Sequence, residues 1–205
     1  MKFFCILKYC LLGISLGLIS CSSKIRSEQE LMDYVMDESH GLYHKKSIKD
    51  LEVEMYYKPT DLLVTQELRG GHAISLDSLR QQYGKYAYFI FNASRNGQEP
   101  LQGMVGEFDR FSEVLQTLAF RMEQHVFLTT SQNDTIPLAD SIFPRFYGAS
   151  RNTTLMLVFG KEDWPGSDWV QVNWKDPGLR TGNMQFRFDT ETLQAAPQIE
   201  FPNKK

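Results

Sequence analysis

Trp169-Val170-Gln171-Val172-Asn173-Trp174 is followed by a polar stretch carrying Pro177, Gly178 and Gly182, and then by Met184-Gln185-Phe186-Arg187-Phe188. In the first run Val170, Val172 and Trp174 alternate with Gln171 and Asn173. In the second, Met184, Phe186 and Phe188 alternate with Gln185 and Arg187. A period of two with one apolar and one polar face is the pattern of a half-buried antiparallel strand. The Pro and Gly residues between the runs are turn formers, so the stretch predicts strand, turn, strand.

Working outward, similar pieces recur between turn signals: Met122 to Thr130, Ile142 to Tyr147, Thr154 to Phe159, and Ile199 with Phe201. Tyr86 to Ala93 is apolar on both faces and bounded by Gly84 and Asn96-Gly97, as in a central strand. Leu51, Val53, Met55 and Tyr57 alternate with Glu52, Glu54, Tyr56 and Lys58 and end at Pro59. Helical spacing is confined to shorter segments. Ser27 with Glu30 fits a capping box before Leu31, Met32, Val35 and Met36, with Gly41 as the stop. Thr60 and Asp61 open a second helix closed by Gly70-Gly71, Ser75 to Tyr83 reads as a third, and Phe111 to Phe120 as a fourth. Roughly eight short strands with closely spaced turns predict an α+β, mainly β fold. The expected architecture is an antiparallel β-sandwich, Ig-like or a partly open barrel, with a few short helices in the N-terminal half. No linker or repeat divides residues 28–205, so one domain is expected there.

The chain has 205 residues, 42% hydrophobic and 23% charged, with 14 Gly, 8 Pro and 3 Cys. These values exclude collagen-like, disordered, multi-pass membrane and disulfide-scaffold classes. The first 20 residues differ from the rest. They hold Lys2 and Lys8, no acid, and an apolar run from Tyr9 to Ile19 that leads through Ser20 to Cys21. Those eleven residues would rise about 16 Å as a helix, against a hydrocarbon core of about 30 Å. The run suits a secretory signal and is too short for a span.

Leu18, Ile19, Ser20 and Cys21 resemble the lipobox of bacterial lipoproteins, in which Leu and two further residues precede a Cys. Ile19 departs from the smaller residue usual at its position. The resemblance implies a diacylglycerol thioether on the Cys21 sulfur, cleavage before Cys21, and an acyl group on the new amino terminus. Two acyl chains already anchor a protein stably, so three would hold it at a membrane permanently. Ser22 is not the Asp that the family associates with inner-membrane retention, which implies the outer membrane. Periplasmic and cell-surface orientations both stay open.

Cleavage would move the formal net charge from −3 to −5 and remove Cys5 and Cys10. With Cys21 acylated, no thiol remains for a disulfide, metal thiolate site or cysteine catalysis. Residues 22–27 then read as a polar tether. An acidic chain without a basic run does not suit nucleic acid. No cofactor is expected.

Catalytic motifs do not complete. His40 and His44 stand four apart, but Gly41 occupies the Glu position of His-Glu-x-x-His, so a metal site is not expected. His125 falls on the polar side of its strand. Gly148-Ala149-Ser150-Arg151-Asn152 lacks the second Gly of a nucleophile elbow. His72 and Asp77 share a loop that could hold a catalytic pair.

Trp164, Trp169 and Trp174 lie within eleven residues. Trp174 belongs with the core. Trp164, in a Trp-Pro-Gly turn, could stack on a ligand or fold down over one end of the sandwich, and Trp169 is the surface member. Trp164 and Trp169 are thus the candidate ligand-binding residues. Asp77-Ser78-Leu79, Asp134-Thr135-Ile136 and Asp140-Ser141-Ile142 resemble the acceptor pattern of periplasmic O-glycosylation, which implicates Ser78, Thr135 and Ser141. The leading expectation is a non-catalytic envelope lipoprotein. It would be anchored through acyl chains on Cys21 and bind or brace an envelope protein. A glycan- or ligand-binding lipoprotein and an envelope hydrolase are the alternatives.

Overall fold

The computed structural model describes residues 25–71, 74–104, 106–144 and 150–201. The signal segment, Cys21, His72 and Gly148-Ala149 lie outside them. In chain order the elements are α1 (Glu28–Met36), β1 (Tyr43–Ile48), β2 (Leu51–Lys58), α2 (Thr60–Arg69), α3 (Leu76–Gly84), β3 (Tyr86–Arg95) and α4 (Phe108–Phe120). They continue with β4 (Val126–Thr130), β5 (Thr135–Pro137), β6 (Asp140–Ile142), β7 (Thr153–Gly160), β8 (Trp169–Trp174), β9 (Met184–Asp189) and α5 (Thr190–Gln194).

Two antiparallel sheets form, a five-stranded β1-β2-β3-β7-β6 and a four-stranded β5-β4-β8-β9. The fold is α+β and mainly β, and neither sheet closes into a barrel. Period-two alternation dictates the packing. Val53, Met55, Phe89, Phe91, Leu155 and Leu157 of the first sheet are buried with Val126, Leu128, Val172, Trp174, Phe186 and Phe188 of the second. Phe91 stacks on Trp174 at 3.7 Å between ring centroids, and Phe89 meets Phe188 at 4.9 Å, so the inner faces interlock.

Both open sides of the sandwich are covered. On one, β5 and β6 belong to different sheets and the chain crosses between them through Leu138, which is buried. On the other, β1 lies over the free edge of β9. His44 Nε2 is 2.7 Å from the Arg187 carbonyl, and Lys46 Nζ donates to the Gln185 carbonyl at 2.8 Å. Inward-pointing polar side chains on an edge strand block further strand pairing, and here they also satisfy the neighbouring edge.

Helices α2 and α3 cover the outer face of the larger sheet, where Leu63 packs with Tyr88 and Val158. The predicted capping box forms at α1: Ser27 Oγ accepts from the Glu30 N–H, and Glu30 Oε2 accepts from the Arg26 N–H. Gly41, at φ +69°, ends the turn that follows, a conformation glycine adopts without steric cost. Among the described residues no helix is long and apolar enough to cross a membrane.

Several expected boundaries are corrected. β1 and β5 were not anticipated as strands, and α5 places a helix in the C-terminal half. β4 starts at Val126, with Met122–Gln124 forming a 3₁₀ turn. β6 spans Asp140–Ile142; of the strand expected over Ile142 to Tyr147, Phe143 and Pro144 are not strand and residues 145–147 lie outside the described residues. Ile199 makes a single parallel bridge to Ile25 rather than a strand. Ile25, expected in the tether, is 5% exposed.

Candidate functional site

Strand β2 ends at Lys58 and β7 at Gly160, so Tyr57 and Lys161 stand at the same end of the sandwich. Helices α2, α3 and α5 gather there. Between them lies a cavity of about 280 Å³, lined by Tyr57, Asp61, Arg80, Lys161, Leu193 and Gln194 among others. A second cavity of about 140 Å³ shares Tyr57, Lys161, Leu193 and Gln194 and adds Trp164. The two adjoin along these four shared residues and are taken together as a groove.

Asp61, 2% exposed, builds its far wall. Its Oδ1 accepts from Arg80 Nε at 2.8 Å, and its Oδ2 accepts from Arg80 Nη2 at 2.6 Å and from the Ile199 N–H at 2.7 Å. Arg80 Nη2 also donates to the Ile199 carbonyl at 2.9 Å. One carboxylate therefore ties α2, α3 and the C-terminal segment together. That segment in turn holds the N-terminal one, because the Glu200 N–H donates to the Ile25 carbonyl at 2.8 Å.

Trp164 is held by its turn. Gly166, at φ +69°, lets the chain reverse. Ser167 Oγ donates to the Trp169 carbonyl at 2.7 Å and accepts from the Ser131 N–H, while Thr190 Oγ1 donates to the Ser167 carbonyl. Three elements thus fix one loop, and Trp164 is left 8% exposed.

Lys161, Tyr57 and Trp164 bring free donors to the groove, and Gln194 and Gln198 bring amides that both donate and accept. Lys161 Nζ lies 6.0 Å from the Tyr57 ring centroid and has no hydrogen-bond or ion-pair partner among the described residues. Burial lowers its pKa, because a desolvated ammonium is disfavoured. The Tyr57 hydroxyl and Trp164 Nε1 also lack partners among the described residues. Among the described residues only Thr153 Oγ1 is an enclosed side-chain atom without one, so solvent reaches the other two. Among the described residues Asp61 is the only acid in the lining, and its oxygens are taken. The groove thus suits a ligand rich in hydrogen-bond acceptors.

Burial holds the Tyr57 hydroxyl up at about 12 and does the same to Tyr88. An unfolded tyrosine titrates near 10. The folded chain keeps protons that the unfolded chain loses, so this stabilisation is complete below pH 10 and is lost as pH rises toward 12. Tyr57→Phe should change stability at pH 7 by less than about 1 kcal/mol, since its hydroxyl has no partner among the described residues. It should also flatten the alkaline decline by up to about 1.4 kcal/mol per pH unit. Urea melts at pH 8, 10 and 11 check this, and an unchanged slope would reject it.

Trp169 is not in the groove. It lies half-buried on the outer face of β8, with the Arg187 guanidinium 3.9 Å from its ring centroid. The two candidate tryptophans therefore do not share a site. His40 stacks on Tyr34 at 3.7 Å, while His44 packs edge-on to Phe188 at 4.7 Å, so the pair is divided between different neighbours. His125 follows a 3₁₀ turn and is half-buried, its Nδ1 3.3 Å from the Lys175 carbonyl. No group of three His, Cys, Asp or Glu side chains placed to hold a metal occurs among the described residues. Asp77 is exposed in the first turn of α3. Ser78 and Thr135 are exposed, and Ser141 is half-buried.

Sequence reasoning missed Tyr57, Asp61, Arg80 and Lys161 as groove residues. Tyr57 carried one signal, its place as the last inward residue before Pro59, from which its tip can reach past the sheet. Compared with protein-family models, curated proteins and solved structures, the chain finds no match.

Proposed function

We propose that the chain is a lipid-anchored envelope protein, acylated on Cys21 at the outer membrane, and that its sandwich is a non-catalytic binding module with the donor-lined groove as its capture site. The observation that carries this reading is the pinning of Ile25 against Ile199 at the rim of the groove. Cys21 stands four residues earlier, and four extended residues reach at most about 14 Å. Acyl chains on Cys21 would therefore hold the groove end close to the lipid headgroups, where a ligand from the envelope is concentrated.

Binding is favoured over catalysis by the character of the groove. Nucleophilic or acid-base chemistry needs a base hydrogen-bonded to its partner. Here the acid is consumed by Arg80 and Ile199, and Lys161, whose pKa burial lowers, has no acid or nucleophile hydrogen-bonded to it among the described residues.

Cys21→Ala tests the anchor: the expected product is an unprocessed, unacylated precursor, and a normal mature mass in that variant overturns lipidation. Titrating the protein with solubilised envelope glycan tests the groove. Trp164 emission should shift in the wild type and stay fixed in Lys161→Met, with Trp164→Phe identifying the responding ring. No shift in the wild type would overturn the capture site.

A further inference from the structure

At the opposite end of the sandwich, β3 carries the chain about 30 Å away at roughly 3.3 Å per residue and delivers Arg95 to a third cavity. This one measures about 230 Å³ and is lined by Asp50, Arg95, Arg110 and Arg180 together with Pro100, Met104 and Leu179. We infer that this cleft is a binding site for an oxyanion carried on a sugar-sized body.

Two of the arginines are aimed by fixed partners. Arg95 Nη1 donates to both Asp50 oxygens at 2.7 and 2.8 Å, and its Nη2 donates to the Leu179 carbonyl at 3.4 Å. Arg110 Nη1 donates to Glu107 Oε2 and its Nη2 to the Gly178 carbonyl, both at 3.1 Å. Among the described residues neither Nε–H has an acceptor. Arg180 has no hydrogen-bond or ion-pair partner among the described residues, so its whole guanidinium fork is free.

Arg180 is also held in an unusual backbone state. Its φ is +61°, in the left-handed region that asparagine and glycine enter far more readily than arginine. The loop enforces it. Asp176 accepts from the Gly178 and Gly182 N–H groups, and the flanking Leu179 and Thr181 are each 1% exposed. An arginine kept in strained backbone at the mouth of a cleft suits a functional position better than a spacer.

Charge and shape agree with this assignment. Asp50 offsets Arg95 and Glu107 offsets Arg110, so Arg180, with Lys49 beside Asp50, carries the uncompensated positive charge of the cleft. A positive cleft with low-dielectric walls focuses the field on an anion. The planar fork matches a carboxylate or phosphate through paired hydrogen bonds. Pro100, Met104 and Leu179 supply an apolar wall for the ring that carries the charged group.

Calorimetric titration of the full chain with glucuronate, glucose 6-phosphate and neutral glucose tests the site. Saturable binding of an anionic sugar that weakens with added salt, with none for glucose, is the expected result. The tighter of the two anions identifies a carboxylated or a phosphorylated glycan as the source. Arg180→Asn removes the charge and relaxes the backbone, so it should fold, and it should bind about tenfold more weakly. Arg110→Lys keeps the charge, loses the fork and should weaken binding severalfold. No saturable binding of either anion, glucose binding equally well, or wild-type affinity in Arg180→Asn would each overturn the proposal. Lys161→Met and Cys21→Ala should leave this binding intact, which separates its outcome from that of the groove.

Discussion

Asp61→Ala is expected to destabilise the fold by about 3–5 kcal/mol, the range for removing one partner of a buried, hydrogen-bonded ion pair. Its carboxylate is 2% exposed, so the loss leaves the Ile199 N–H and Arg80 Nε without an acceptor and the Arg80 charge without its counter-ion, with only the Ile199 carbonyl still accepting from Nη2. The Arg80 side chain is 27% exposed and can partly rehydrate, which sets the effect nearer the lower bound. Typical stabilities are about 5–15 kcal/mol, so even that loss is a large fraction of the total. Asp61→Asn keeps one acceptor oxygen and should fall between wild type and alanine.

The damage should also be local in a particular way. Ile199 holds Ile25 through a single bridge, so amide exchange at Glu200, whose N–H donates to Ile25, should accelerate before exchange in β3. Urea melts and hydrogen exchange read the two effects. A loss below 1 kcal/mol, or uniform acceleration across β3 and Glu200, would show that the clamp does not secure the termini.

The contrast between strands and groove follows from the range over which sequence carries information. β2, β3, β7, β8 and β9 were legible because a two-residue period is a local signal and each strand buries one face or both. β1 was hidden because its inward side chains include His44 and Lys46, which cover the β9 edge and so break the apolar alternation. β5 and β6 hold three residues each, too few for a period.

The groove joins the ends of β2 and β7 with helices from both halves of the chain, and no spacing in the sequence predicts that meeting. Asp61 was readable only as an acid in the first turn of a helix, since its partner Ile199 stands 138 residues away. Trp164 announced itself through its turn. Trp169 was placed correctly on the outer face, but the guanidinium over it depends on the register of β8 with β9.

Trp174→Ala carries the other large expected effect, again about 3–5 kcal/mol, from deletion of a fully buried aromatic ring. Trp174 is 1% exposed and stacks on Phe91 with the ring planes 10° apart, so it spans the interface between the two sheets. Its Nε1 donates to Thr181 Oγ1 at 2.9 Å, which also ties the arginine-bearing loop to the core. Trp174→Phe separates the two roles. Phenylalanine keeps an aromatic partner for Phe91 and loses the donor to Thr181, whose Oγ1 still donates to the Gly182 carbonyl. About 1–2 kcal/mol is expected for that variant, the sum of one net hydrogen bond and the smaller ring volume. Denaturant melts should therefore rank wild type above Trp174→Phe above Trp174→Ala. Near-UV circular dichroism should lose the Trp174 signal in both variants and keep phenylalanine fine structure from a ring packed on Phe91 only in Trp174→Phe. Equal losses in the two variants would mean that the Thr181 hydrogen bond, rather than the stack across the sheets, holds this end of the sandwich. In that case Thr181→Val should reproduce the full effect with Trp174 in place.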